Sequence, residues 1–172
     1  MNPSNTCEGL HQSLQRLIGL HRQLLEAVRM EKQALIDADL KLIQDSTAAK
    51  QALIEGIRVA ETERLKQTAE LARKWKRRIT ELTLAEIAIA VQGYDPKVAE
   101  QLRTSSNALT ILISRVLEQN RENATLVEKS LTHVEEMKRN VLGESVPRAS
   151  TYTQNGQRSA PVSGARLISK EA

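Results

Sequence analysis

Apolar positions in the first part of the chain follow a seven-residue rhythm. Leu10, Leu14, Leu17, Leu24 and Val28 are spaced 4-3-7-4; counting His21 makes the run 4-3-4-3-4, and Leu35 keeps the same phase. That spacing predicts an amphipathic helix over about residues 8–37 with a coiled-coil-like seam. His21 lies in the seam with no metal-ligand partner at helical spacing, so it reads as a packing histidine rather than a ligand or a switch.

The stretch ALIDADLKLI interrupts the rhythm with two aspartates around an alanine. Asp39 is a candidate N-cap for a second helix starting at Leu40, which would fold back on the first through a turn at 37–39. One helix continuing through this stretch is the alternative, because aspartate penalises a helix interior only modestly. Leu40, Ile43, Leu53, Ile54, Ile57, Ala60 and Leu71 then form a less regular stripe on a helix over about 40–80.

Stop and start signals follow in close order. Thr83-Leu84-Ala85-Glu86 has the capping-box form and opens a short helix over 83–92, which Gly93 ends. Asp95 is placed to cap the next helix, with Pro96 at its first position, where a missing N–H costs nothing. Val98, Leu102, Leu109, Ile113, Val116, Val127, Leu131, Val134 and Val141 mark an apolar face along 96–142. At about 1.5 Å per residue this helix is a rod of roughly 70 Å. A compact domain of this size has a radius of gyration of about 14 Å. Either the fold is an elongated hairpin-like bundle, or part of the stripe is left for a partner, above all beyond Val127.

Composition agrees with the pattern. Across 172 residues there are only seven glycines, four prolines and no phenylalanine, while helix-favouring Ala, Leu, Glu, Gln, Lys and Arg dominate up to residue 142. The expectation is an all-α protein: an elongated antiparallel helical hairpin or bundle with a long C-terminal helix over 1–142, then a flexible tail over 143–172. A single cysteine, Cys7, rules out an internal disulfide framework and is read as a free thiol in a frayed N-terminus. The opening residues have no apolar signal region and no run is long enough for a membrane span, so a cytoplasmic protein without stable membrane insertion is expected.

Little in the chain invites catalysis. Glu8 and His11 supply one Glu-x-x-His half-motif, placed at a fraying end, where a di-metal site needs two. His133 has no ligand spacing either, and no phosphate-binding glycine loop or nucleophile elbow occurs. No cofactor, no metal and no enzymatic activity are expected. The net charge is +4, yet RKWKRR at 73–78 carries five cations. Arg73, Lys74, Lys76, Arg77 and Arg78 form either a solvated helix end whose charge suits the helix dipole, with Trp75 turned inward, or a patch for an acidic partner. Nucleic acid is not expected as a partner, since only one aromatic accompanies the charges and they lie around all sides of a helix.

Asn120 and Asn123 interrupt the apolar face of the last helix at spacings of 4, 3 and 4 between Val116 and Val127. Each amide either bonds across the bundle and fixes its register, or serves as a polar anchor in a binding stripe. Together with EKQALIDADL at 31–40, KQALI at 50–54, NRENATLVEKSL at 120–131 and TYTQNG at 151–156, this region resembles the FlgN family of flagellar type III export chaperones. The resemblance implies a helical cytosolic protein that binds hook-associated proteins of the hook–filament junction, prevents their premature assembly and delivers them to the export gate. It also implies a substrate face at Asn120, Asn123, Leu126, Val127, Leu131, Val134 and Met137, with Tyr152 and Gly156 as the tail element that engages the cytoplasmic domain of the gate. RKWKRR and the long basic tail depart from the family pattern. The same heptads also allow a homodimer, or a coiled-coil scaffold or stalk-like accessory of a secretion ATPase.

Within the tail, composition points to disorder, yet Tyr152, Leu167 and Ile168 offer apolar footholds among Arg148, Arg158, Arg166 and Lys170. The strip suits short linear contact.

Overall fold

The computed structural model describes residues 3–142, with side chains from residue 5 onward. Four α-helices follow one another, with no strand among the described residues: α1 (Pro3–Ile36), α2 (Leu40–Lys74), α3 (Leu84–Gln92) and α4 (Pro96–Leu142). A short 3-10 turn, Ile79–Glu81, precedes α3. The all-α class and the long last helix are as the sequence pattern predicts. The chain divides into two compact units, Met1–Lys129 and Ser130–Ala172, and the described part of the second is the end of α4.

In the first unit α1 is the central element. Side-chain bonds fix the direction of its neighbours. Lys74 Nζ donates to Thr6 Oγ1, Ser13 Oγ donates to Gln67 Oε1, and Lys50 Nζ donates to Glu31 Oε1, so α2 runs antiparallel to α1. Gln15 Nε2 donates to Ser105 Oγ, and Asn123 Nδ2 donates to the carbonyl of Val28, so this part of α4 runs parallel to α1. Serving two neighbours, α1 buries a wide face that includes Cys7, Leu10, Leu14, Leu17, Ile18, Leu24, Leu25 and Val28. Leu10 and Leu14 are wholly removed from water, which contributes about 1.5–3 kcal/mol each.

The first turn of α1 corrects one expectation. Cys7 does not sit in a frayed terminus; it is fully buried in the core. The helix starts at Pro3, earlier than expected, because Lys74 and the end of α2 lie alongside and hydrogen-bond Thr6. His11, expected at the same loose end, is held by Ser105 Oγ at 3.2 Å from its Nδ1. His21 stays in the packing: its Nδ1–H donates to the carbonyl of Leu17 at 2.8 Å.

Between α1 and α2 the chain turns, which settles the choice at 37–39. Ala38 takes a left-handed φ of 52°, the Asp39 N–H reaches back to the carbonyl of Ala34, and Asp39 Oδ1 accepts from the Leu42 N–H at 3.0 Å. This is a Schellman stop joined directly to an N-cap.

The inner seam of α2 is more regular than its apolar residues suggest. Ser46, Lys50, Leu53, Ile57, Ala60, Arg64, Gln67 and Leu71 all face inward in whole or part, at spacings of 4-3-4-3-4-3-4. Half of these positions are polar, and each finds a partner: Ser46 bonds the Ile43 carbonyl, Lys50 pairs with Glu31, Arg64 with Glu61, and Gln67 accepts from Ser13. Gly9 makes room for Gln67, since a Cβ there would lie 3.1 Å from the Gln67 Nε2.

α2 ends at Lys74 rather than near residue 80. Lys76 has φ 53°, its N–H bonds the Arg73 carbonyl, and the Arg77 N–H bonds the Ala72 carbonyl, a second Schellman stop. α3 then opens with both halves of its capping box formed: the Glu86 N–H donates to Thr83 Oγ1 and the Thr83 N–H donates to Glu86 Oε2 at 2.8 Å. Asp95 Oδ1 accepts from the Val98 N–H at 3.1 Å and caps α4 ahead of Pro96.

Candidate functional site

The apolar face read along α4 resolves into two stripes. Within the first unit, Val98, Leu102, Ser105, Leu109, Leu112, Val116 and Asn123 are buried, with Gln119 and Leu126 half-buried in the same 4-3 phase. Ile113, Leu117, Asn120 and Val127 follow a second 3-4 phase displaced by one residue, and all four are exposed. One residue is a rotation of about 100° around a helix. The two stripes therefore point in clearly different directions, although their members alternate in the sequence.

Asn123 belongs to the inner stripe. It is 3% exposed, and both N–H groups of its amide are used, one on the Val28 carbonyl and one on Glu31 Oε2, each at 2.9 Å. Its Oδ1 accepts a long bond from Gln119 Nε2. Glu31 in turn accepts from Lys50 through its other oxygen, so one polar chain, Asn123–Glu31–Lys50, joins α4, α1 and α2. At the rim, Lys32 Nζ donates to Glu122 Oε2 at 2.6 Å, and the ammonium holds the Glu122 carboxyl below its ordinary value. Every surface Asn123 could offer a partner is thus committed inside the bundle, as the register-fixing reading requires.

The other residues of the expected face lie differently. Asn120 and Val127 are exposed and Leu126 is half-buried. In the second unit, Leu131 is 60% exposed, and Val134, Met137, Val141 and Leu142 are exposed as well. Five large apolar side chains within twelve residues stand in water on this part of α4. Positions 131, 134 and 141 keep the phase of Val127, so an amphipathic helical partner could coil against them. Tyr152 and Gly156 lie outside the described residues.

RKWKRR is spread over three structural roles. Arg73 and Lys74 form the last turn of α2, Trp75 is its C-cap and is half-buried against the core, and Lys76, Arg77 and Arg78 lie exposed in the connector. Lys74 is spent on Thr6 at 2.6 Å, Arg78 pairs with Glu81 at 2.9 Å, and Arg73 sits 3.9 Å from Glu70.

Sequence reasoning passed over Glu31 and Lys50, the two charged residues that complete the Asn123 network. Their signal was positional: Lys50 falls on the heptad phase of Leu53, Ile57 and Ala60, and Glu31 on that of Leu24, Val28 and Leu35. Among the described residues no group of three or more His, Cys, Asp or Glu side chains could hold a metal ion, and no helix is long and apolar enough to cross a membrane.

In comparison with known proteins, the family model described as FlgN protein matches residues 1–160. No curated protein and no solved structure matches the chain.

Proposed function

The chain belongs to the FlgN family, which makes it a flagellar export chaperone, and from that premise we propose that it binds hook-associated proteins through the end of α4 and delivers them to the export gate. The observation that carries this reading is the exposed apolar run of Leu131, Val134, Met137 and Val141. Isolated apolar residues on a surface are ordinary, but a run at helical spacing is a docking element. Asn120, Leu126 and Val127 extend the proposed face along the sequence, whereas Asn123 supports it from inside by fixing the register of α4. Binding buries the face in the cytoplasm until export and keeps the cargo from assembling early. Tyr152 and Gly156 serve the later step, a weak and transient contact with the cytoplasmic domain of the gate.

Co-purification of the tagged full chain with hook-associated proteins from a flagellated source tests the first step. A stoichiometric complex lost on Leu131→Ser with Val134→Ser is expected; an undiminished complex overturns the assignment of the face. A chain ending after Leu142 is expected to keep the cargo and lose delivery, and Tyr152→Ala to reproduce that loss. A stable homodimer seated on the same residues in sedimentation, with no cargo bound, would instead identify a coiled-coil scaffold.

A further inference from the structure

The connector between α2 and α3 carries charge that the fold does not use. Its three exposed cations, Lys76, Arg77 and Arg78, follow the exposed Arg73 at the end of α2; Arg73 pairs with Glu70 and Arg78 with Glu81, which leaves Lys76 and Arg77 in excess. Among the described residues neither Lys76 nor Arg77 forms an ion pair. Arg77 is near enough to help pull the Glu86 carboxyl down, but that carboxylate is committed to the Thr83 cap. Lys76 also holds a left-handed backbone, φ 53°, that a side chain disfavours and a glycine would adopt freely. Strain of this kind is retained where the surrounding structure enforces it and clusters at functional segments. Its effect here is to end α2 and present Lys76, Arg77 and Arg78 in succession. Ile79 follows them directly, 46% exposed on the 3-10 turn.

The geometry points to a docking surface for an acidic peptide segment of a protein partner, one that sets carboxylates on Lys76 and Arg77 and an apolar side chain on Ile79. Charge complementarity selects the carboxylates, and Ile79 gives an apolar contact that a bare polyanion would leave unused. Nucleic acid fits less well. Binding of that kind rests on many phosphate contacts and on presented aromatics, whereas two cations are uncommitted and Trp75 is half-buried in the core. An anionic membrane likewise calls for a larger basic cluster. The surface is made of first-unit residues, none of them in the apolar run on α4, and does not depend on the function proposed for that run.

A fluorescein-labelled peptide alternating glutamate with leucine, titrated with the full chain, tests the assignment. Saturable, salt-sensitive binding is expected, weakened at least about tenfold by Lys76→Glu with Arg77→Glu and a few-fold by Ile79→Ser. Lys76→Arg should retain it. All three positions are exposed, so thermal melts should show folded variants; if the double reversal fails to fold, Lys76→Gln with Arg77→Gln takes its place. The proposal is overturned by absence of saturable binding or by an affinity indifferent to these changes. It is equally overturned if a single-stranded oligonucleotide or phosphatidylserine vesicles bind the patch more tightly than the peptide. Retention of hook-associated proteins by the double variant separates this surface from the α4 face, whichever way the peptide result falls.

Discussion

Asn123 and Glu31, 92 residues apart in sequence, are joined by a 2.9 Å hydrogen bond from the asparagine amide to the glutamate carboxylate. The contact sets α4 against α1 at one register, since a slip of one residue would part the amide from both the Val28 carbonyl and the Glu31 carboxylate. Asn123→Ala removes the donor from Glu31 Oε2 and from the Val28 carbonyl, and a loss of about 1–3 kcal/mol in urea unfolding is expected. Asn120→Ala, three residues away on the exposed side, should change stability by less than about 0.5 kcal/mol.

Two helices stop on left-handed residues that are not glycine. Replacing Ala38 or Lys76 with glycine relieves the steric cost of φ 52° and 53° while giving the unfolded chain more freedom. The first effect is the larger, so each change should stabilise the fold by about 0.5–1 kcal/mol, read as an upward shift of the thermal midpoint. Because Lys76→Gly also removes a docking cation, it should weaken the acidic peptide while raising stability.

The cap of α3 predicts a pH dependence. Bonds from the Thr83 N–H and hydroxyl hold the Glu86 carboxyl below its ordinary value. A carboxyl depressed in the folded chain adds stability above its unfolded pKa and loses it as the pH falls through the folded one. The stability difference between the native chain and Glu86→Gln should therefore be present at neutral pH and vanish in acid. Thr83→Ala, which removes the other half of the box, should cost about 1 kcal/mol at neutral pH in the same unfolding assay.

At the end of α4, stability and binding should part company. Leu131 and Val134 are each more than half exposed, so serine at either position should change unfolding free energy by less than about 0.5 kcal/mol. Affinity for a hook-associated protein, measured by titration calorimetry, should fall at least about tenfold.

How much of this was legible in the sequence follows the range of the forces involved. Thr83 with Glu86, Asp95 with Val98, and Asp39 with Leu42 are bonds closed within three residues, and the capping residue types announce them. The seam of α1 was equally plain, because leucines fill it. The seam of α2 was obscured by its polar members Ser46, Lys50, Arg64 and Gln67; Lys50 and Gln67 owe their place inside the bundle to Glu31 and Ser13 on α1, far along the chain. The stop at Lys76 escaped notice because it lacks the glycine that marks such a turn, and for the same reason the turn at 37–39 stood only as one of two alternatives. Asn120 and Asn123 look alike in sequence. Only the approach of Val28 and Glu31 separates a register pin from a surface amide.

Cys7 turns the packing of the first helix into something that can be timed. It is the chain's sole thiol, it has no exposure, and burial pushes its pKa up against the pull of the Tyr94 hydroxyl and the Lys74 ammonium. An alkylating reagent meets it only when the first turns of α1 come away from the groups packed around them, so the labelling rate counts those openings without competition from another sulfur. Any event that loosens or tightens this end of the bundle, including a partner seated on the neighbouring connector, would register as a change in that single rate.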